Sequence, residues 1–240
     1  MKRILLILIF LCGIQTVFGQ AFKMPTASDY PNLRKIGARS ADFIPRGWTL
    51  MDKAEGDLNG DKKNDFVLVI KANKESFLNK SENLVNKQFD TNPRILAILF
   101  SENSRYKLVL QSNTFIAMSD SPSMLEPFQS VKIANGVLRF DFEIFYSAGG
   151  WTMYEMTYKF RFQNGAFALI GADKITTQRN SGEVETRSYN FLTDKLKTTN
   201  GDISGKNNKV QWTTYNLKHL KSFETFSEPF KWEIEKDYFL

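Results

Sequence analysis

The apolar residues first gather in one block, Ile4 to Leu11, behind Met1-Lys2-Arg3 and ahead of Val17-Phe18-Gly19. A positive stretch, an apolar stretch and a small residue before Gln20 form the layout of a cleaved secretory signal, so residues 1–19 are expected to be removed near Gly19. Gly13 and Gln15 interrupt the block short of the roughly 20 residues that a membrane-spanning helix needs, and no later stretch stays apolar for long enough. The expected location is periplasmic or secreted, with no integral membrane segment after cleavage. Lipid anchoring at Cys12 is disfavoured, because bulky Phe10 and Leu11 sit where a lipoprotein signal needs small residues.

A polar lead-in follows over residues 20–46, punctuated by Pro25, Pro31 and Pro45, and from residue 47 to 240 the pattern is that of strands. Phe66-Val67-Leu68-Val69-Ile70 is a short continuous apolar run, as in a strand buried on both faces. Ile95–Phe100 and Tyr106–Leu110 predict an antiparallel hairpin. Between them, Phe77, Leu78, Leu84, Val85 and Phe89 fall on one face of a 3.6-residue period, which predicts a helix closed by Asn92-Pro93. Alternation takes over later: Phe140, Phe142, Ile144 and Tyr146 share one strand face, Tyr154, Met156, Tyr158, Phe160 and Phe162 share the next, and Phe167 and Leu169 begin a third. Asn135-Gly136, Asn164-Gly165 and Asn200-Gly201 are placed as tight hairpin turns, because both central residues of a type I′ turn need φ > 0. Ser119–Pro127 reads as a loop joining two subsheets, and residues 211–226 as a short second helix. The expected fold is mainly β, an antiparallel meander with one or two short helices, in a single domain.

Composition sharpens this picture. The chain is 42% hydrophobic and 14% aromatic, with 21 Phe, and its one cysteine, Cys12, leaves with the leader. Disulfides therefore contribute nothing, and stability must come from buried apolar surface. The formal charge of +6 falls to +4 when Lys2 and Arg3 are removed, and the remaining cations are interspersed with acids. Nucleic acid is not an expected partner.

The sharpest motif is Asp57-Leu58-Asn59-Gly60-Asp61-Lys62-Lys63-Asn64-Asp65, which runs straight into the apolar strand. Oxygen-bearing side chains at positions 1, 3, 5 and 9, with the carbonyl of Lys63, are spaced to converge on a hard cation such as Ca²⁺. It is not an EF-hand, since Lys62 stands where that motif has glycine and Leu68 where it has glutamate. With Gly56 ahead and a strand behind, it resembles the calcium loop of FG-GAP and VCBS-type repeats. That resemblance covers about a dozen residues in one copy and implies Asp57, Asn59, Asp61 and Asp65 as Ca²⁺ ligands. The alternative is a solvated Asx-rich turn that starts the strand. Over most of the chain, this loop, Asn92-Pro93-Arg94-Ile95-Leu96, Ser147-Ala148-Gly149-Gly150-Trp151 and Tyr189-Asn190-Phe191-Leu192-Thr193 resemble uncharacterised secreted proteins of Bacteroidota and Proteobacteria. That likeness implies export and fold and no activity.

The 147–151 turn is the second candidate. Gly149 and Gly150 would let backbone approach a ligand, and Tyr146 and Trp151 would stack on a sugar ring or a peptide. A plain hairpin whose Trp covers the sheet end is the simpler account. Nucleophilic and zinc chemistry are disfavoured, with no cysteine left and a single histidine, His219, set among lysines. Carboxylate pairs remain: Asp141 with Glu143, and Glu183 with Glu185, each at i and i+2 on a strand face, a spacing within the roughly 5–9 Å used by glycosidases. The expected function is an exported, non-enzymatic binding or structural domain of the cell envelope. Its ligand would be an envelope component, a polysaccharide or a protein, and Ca²⁺ would stabilise it. The alternatives are a carboxylate-dependent hydrolase of envelope or extracellular polysaccharide, and an assembly factor working through a free sheet edge.

Overall fold

The computed structural model describes residues 22–81 and 87–240; the expected leader, residues 1–19, lies outside the described residues. In chain order the strands are β1 (Ile36–Gly37), β2 (Trp48–Gly56), β3 (Asp65–Ala72), β4 (Leu78–Ser81), β5 (Lys87–Asp90), β6 (Arg94–Glu102) and β7 (Arg105–Ser112). Then come β8 (Phe128–Ala134), β9 (Val137–Ile144), β10 (Thr152–Gln163), β11 (Ala166–Gln178), β12 (Glu183–Asn190), β13 (Lys195–Asp202), β14 (Lys209–Thr214), β15 (Glu233–Glu235) and β16 (Tyr238–Phe239). The fold is mainly β and antiparallel, as the patterning predicts. Among the described residues the helical elements are 3₁₀ turns of three or four residues, and no helix is long and apolar enough to cross a membrane.

Two sheets carry the architecture. The first has the order β1-β7-β6-β3-β2, and the second is an unbroken seven-stranded meander from β8 to β14. Residues 113–127, which contain the expected Ser119–Pro127 loop, connect them. β3 sits inside the first sheet between β2 and β6, which explains its unbroken apolar run. Val67 and Val69, with Ile98 and Leu96 opposite, face the second sheet. Phe66, Leu68 and Ile70, with Leu99, Ala97 and Ile95 opposite, face the other way and are covered by Leu33 and Phe43 of the lead-in. The lead-in is pinned there by Gln111, whose amide donates to Pro31 O (2.9 Å) and whose oxygen accepts from Leu33 N (3.0 Å).

The inner face of the meander supplies Leu138, Phe140, Phe142, Met156, Tyr158 and Phe160, all buried. Phe115, from the connection between the sheets, is edge-on to Phe140 (4.8 Å) and to Phe223 (4.9 Å). Phe223 stacks on Phe160 at 4.1 Å, so the C-terminal segment closes the core. The β8 edge is occupied: Val131 N donates to Asp52 Oδ2 of β2 at 2.9 Å, and a Cβ on Gly56 would lie 2.7 Å from Ile133. At the opposite edge, β14 pairs only with β13 and is exposed along its whole length.

Several sequence expectations fail. The expected helix around Phe77–Phe89 is a single 3₁₀ turn, Glu75–Phe77, followed by the β4–β5 hairpin, and Leu84 and Val85 lie outside the described residues. Folding back satisfies the same two apolar ends, because Phe77 and Phe89 are both buried. The expected helix in 211–226 is instead the end of β14 and an irregular segment, which touches β11 through an Ala168–Ser222 bridge. Asn135-Gly136 and Asn164-Gly165 are turns with φ of 51° and 70°, and of 52° and 80°. Asn200-Gly201 is not a turn: both residues lie within β13, opposite Glu185 and Val184. Gly201 instead makes space for a neighbour, since the Asn208 side chain lies across the position a Cβ would occupy.

Candidate functional site

Loop 57–65 folds as a ladder of Asx turns. Asp57 accepts from Gly60 N (2.7 Å) and Lys62 N (2.8 Å), Asn59 from Asp61 N (2.9 Å), and Asp61 from Lys63 N (2.9 Å). Lys62 takes the left-handed conformation, φ 63°, at the place where glycine was expected. Asp65 is fully buried and accepts from Leu58 N and Ser101 N, both at 2.9 Å, which ties the loop to β6. Burial raises the Asp65 pKa, the two amide hydrogen bonds pull it back, and neighbouring Asp61 and Asp57 add to the rise. The donors are hard oxygens, each with a lone pair beyond its amide bond. Among the described residues, however, no three acids stand at metal-holding spacing. As folded, then, the donor set suits Ca²⁺ in chemistry and is short in convergence, with Asp65 turned to the protein.

The 146–151 turn is pinned from beneath. The Tyr146 hydroxyl donates to both Asp120 oxygens (3.0 and 2.9 Å), and burial together with that carboxylate pushes its pKa up to about 12. The Arg179 guanidinium donates to Tyr146 O (3.0 Å) and to Gly150 O, and lies 4.5 Å from the Phe145 ring. Gly149, φ 90°, and Gly150 have open space where a side chain would stand, and Trp151 is 65% exposed. Tyr146 is thus committed to Asp120, while Trp151 stands free at the sheet end.

The acids do not assemble around Trp151. Asp141, Glu143 and Glu155 line a hollow of about 480 Å³ on the outer face of the meander, away from the 147–151 turn. Asp141 is held by Arg139 (2.7 Å), Thr157 (2.7 Å) and Ser130 (2.9 Å). Burial pushes its pKa up, but these three hydrogen bonds outweigh it and the net shift is down. That is the wrong direction for a general acid. Glu143 and Glu155 face each other directly across β9 and β10. Glu185 accepts from Arg187 at 3.1 Å, and Glu183 from Ser181 at 3.2 Å. Arg187 and Tyr189, two and four residues on from Glu185, both bond Glu235 of the C-terminal hairpin, so Glu185 shares the inner face, opposite Asp141 and Glu143. His219 is exposed.

Patterning alone did not isolate what the outer face brings together further along. A hollow of about 630 Å³ lies over β10 to β14, lined among others by Lys159, Arg161, Gly171, Lys195, Lys197 and Trp212. Register assembles it: Lys159 lies opposite Gly171, Gly171 opposite Asn190, and Asn190 opposite Lys195. Gly171 forms the floor, where a Cβ would lie 2.9 Å from Tyr189 O. The outward, alternating lysines of β10 and β13 were the available signal, but strand pairing across four hairpins was needed to gather them. Comparison of the chain with protein-family models, with curated proteins and with solved structures finds no match to any of them.

Proposed function

We propose that this is an exported, non-enzymatic binding domain of the cell envelope, and that its ligand surface is the outer face of the seven-stranded meander. The observation that carries this reading is the division of labour between the two faces. The inner face is filled by the aromatic core, while the outer face holds two open hollows lined by polar and charged side chains. Binding sites need concavity and a few oriented polar groups, and a hydrolase needs in addition a carboxyl kept protonated beside a second one. Asp141, the best-anchored acid of that face, is pulled toward ionisation instead.

The test pairs binding with turnover. Purified residues 20–240 are screened against envelope and plant polysaccharides, with reducing-end release followed in parallel. Retention of a polysaccharide without release of new ends is the expected result. Release that is lost in Glu143→Gln would overturn the reading in favour of the hydrolase.

Ca²⁺ belongs to this proposal as a stabiliser of loop 57–65, supported by the hard side-chain oxygens of Asp57, Asn59 and Asp61 gathered on one short ladder of turns. At about tenfold excess over a roughly millimolar dissociation constant, typical of extracellular modules, binding adds about 1.4 kcal/mol. For a chain of this size that is about 3–5 °C in melting temperature. Melting in 10 mM Ca²⁺ against EGTA checks it: an identical transition removes the ion, and Asp61→Ala should erase any difference.

A further inference from the structure

The geometry points to an acidic polysaccharide, a chain of uronate-type sugars, as the ligand of the hollow between Lys159 and Trp212. This deepens the binding reading above and rests on it. Four cations border the hollow, and its one acid, Asp173, is already bonded to Lys159 at 2.6 Å. Among the described residues no carboxylate pairs with Arg161, Lys195 or Lys197, although the same sheet pairs Arg139 with Asp141 and Arg187 with Glu185. Three uncompensated cations around one concavity repel each other, and an anionic ligand would relieve that repulsion.

Trp212 stands at the rim, 63% exposed, and the Lys197 ammonium lies 5.9 Å from its ring. A flat apolar ring beside cations fits a pyranose, which offers a C–H face to the indole and a carboxylate to the lysines. Gly171 brings the β11 and β12 backbones close together beneath the hollow, since a Cβ there would lie 2.9 Å from Tyr189 O, and the charged ends of Lys159 and Lys195 border it. The volume falls within the roughly 300–1,000 Å³ typical of small-ligand sites, enough for a short oligosaccharide segment. Single-stranded nucleic acid fits less well, because it needs a run of aromatic platforms for successive bases and this hollow has one.

Affinity electrophoresis and calorimetry of residues 20–240 test the inference with polygalacturonate, dextran sulfate, neutral dextran and a single-stranded oligonucleotide. The expected result is retardation by polygalacturonate at low salt, none by dextran, and at least tenfold weaker binding in Arg161→Ala/Lys195→Ala. Trp212→Ala should weaken binding severalfold while leaving its salt dependence unchanged. Both variants lie on exposed strand positions, and an unchanged melting temperature verifies their fold. Stronger binding of dextran sulfate, which carries no uronate, than of polygalacturonate overturns uronate as the recognised group. Tightest binding of the oligonucleotide, or binding that neither variant alters, overturns the inference. If another polysaccharide is retained and Glu143→Gln or Trp151→Ala weakens it instead, this hollow is excluded while the broader binding reading stands. If no polysaccharide is retained at all, both fall.

Discussion

At the residue scale, buried polar groups decide how the sheets are tied to their loops. Asp65 takes two backbone N–H groups out of solvent, one from its own loop and one from β6. Asp65→Ala would strand both donors and should destabilise the protein by about 2–3 kcal/mol, seen as a lower urea midpoint with an unchanged slope. Arg94 works similarly: its guanidinium is buried and forms a two-pronged pair with Glu126 (2.6 and 2.7 Å). Removing the carboxylate with Glu126→Ala leaves that charge uncompensated, and about 2–3 kcal/mol should be lost, toward the low end of the range for broken buried pairs because Glu126 itself is partly exposed. Asp141 sets a pH signature. Its folded pKa is depressed, so its contribution is complete above the ordinary aspartate value of about 3.9 and disappears as pH falls through the lower folded value. Asp141→Asn should therefore be less stable than the parent at pH 7, with the gap closing below about pH 4. A gap that widens in acid would contradict the assigned direction.

At the element scale, the sequence reveals strands well where local chemistry decides and poorly where pairing decides. The buried run of β3, the β6–β7 hairpin and the aromatic alternation of β9 and β10 follow from side-chain period alone. Asn135-Gly136 and Asn164-Gly165 are visible because only a few residue types adopt two successive positive φ angles cheaply. Gly165→Ala should cost about 1–2 kcal/mol for this reason, measurable by chemical denaturation. Asn200-Gly201 has the same letters inside β13, since the constraint there is a neighbour, Asn208, that no local pattern announces. The Asn103-Ser104 turn, φ 48° and 62°, falls in the connection that the predicted β6–β7 hairpin requires, although serine carries little turn preference of this type. Phe77 and Phe89 mimic a helix face because a hairpin returning on itself also brings its two ends onto one core. The basic hollow shows the same limit. Lys159, Lys195 and Trp212 are far apart in sequence, and each taken singly looks like an ordinary exposed strand residue.

At the scale of the whole molecule, the two sheets differ in what they leave to solvent. The central strands of the first sheet, β3 and β6, are buried on both sides, by the lead-in and by the meander, while β2 and β7 stay partly exposed. The meander spends one side on the core and keeps the other for solvent, and its concave charged stretch lies toward β14, away from the edge sealed by β2. The central claim is that ligand engages this outer face and leaves the core, loop 57–65 and the 147–151 turn untouched. Hydrogen–deuterium exchange with and without saturating polygalacturonate tests it most directly. Protection concentrated in residues 159–161, 171–173, 188–197 and 209–214 is the predicted pattern. Protection confined to residues 57–65 or 147–151, with the outer strands exchanging as before, would contradict it.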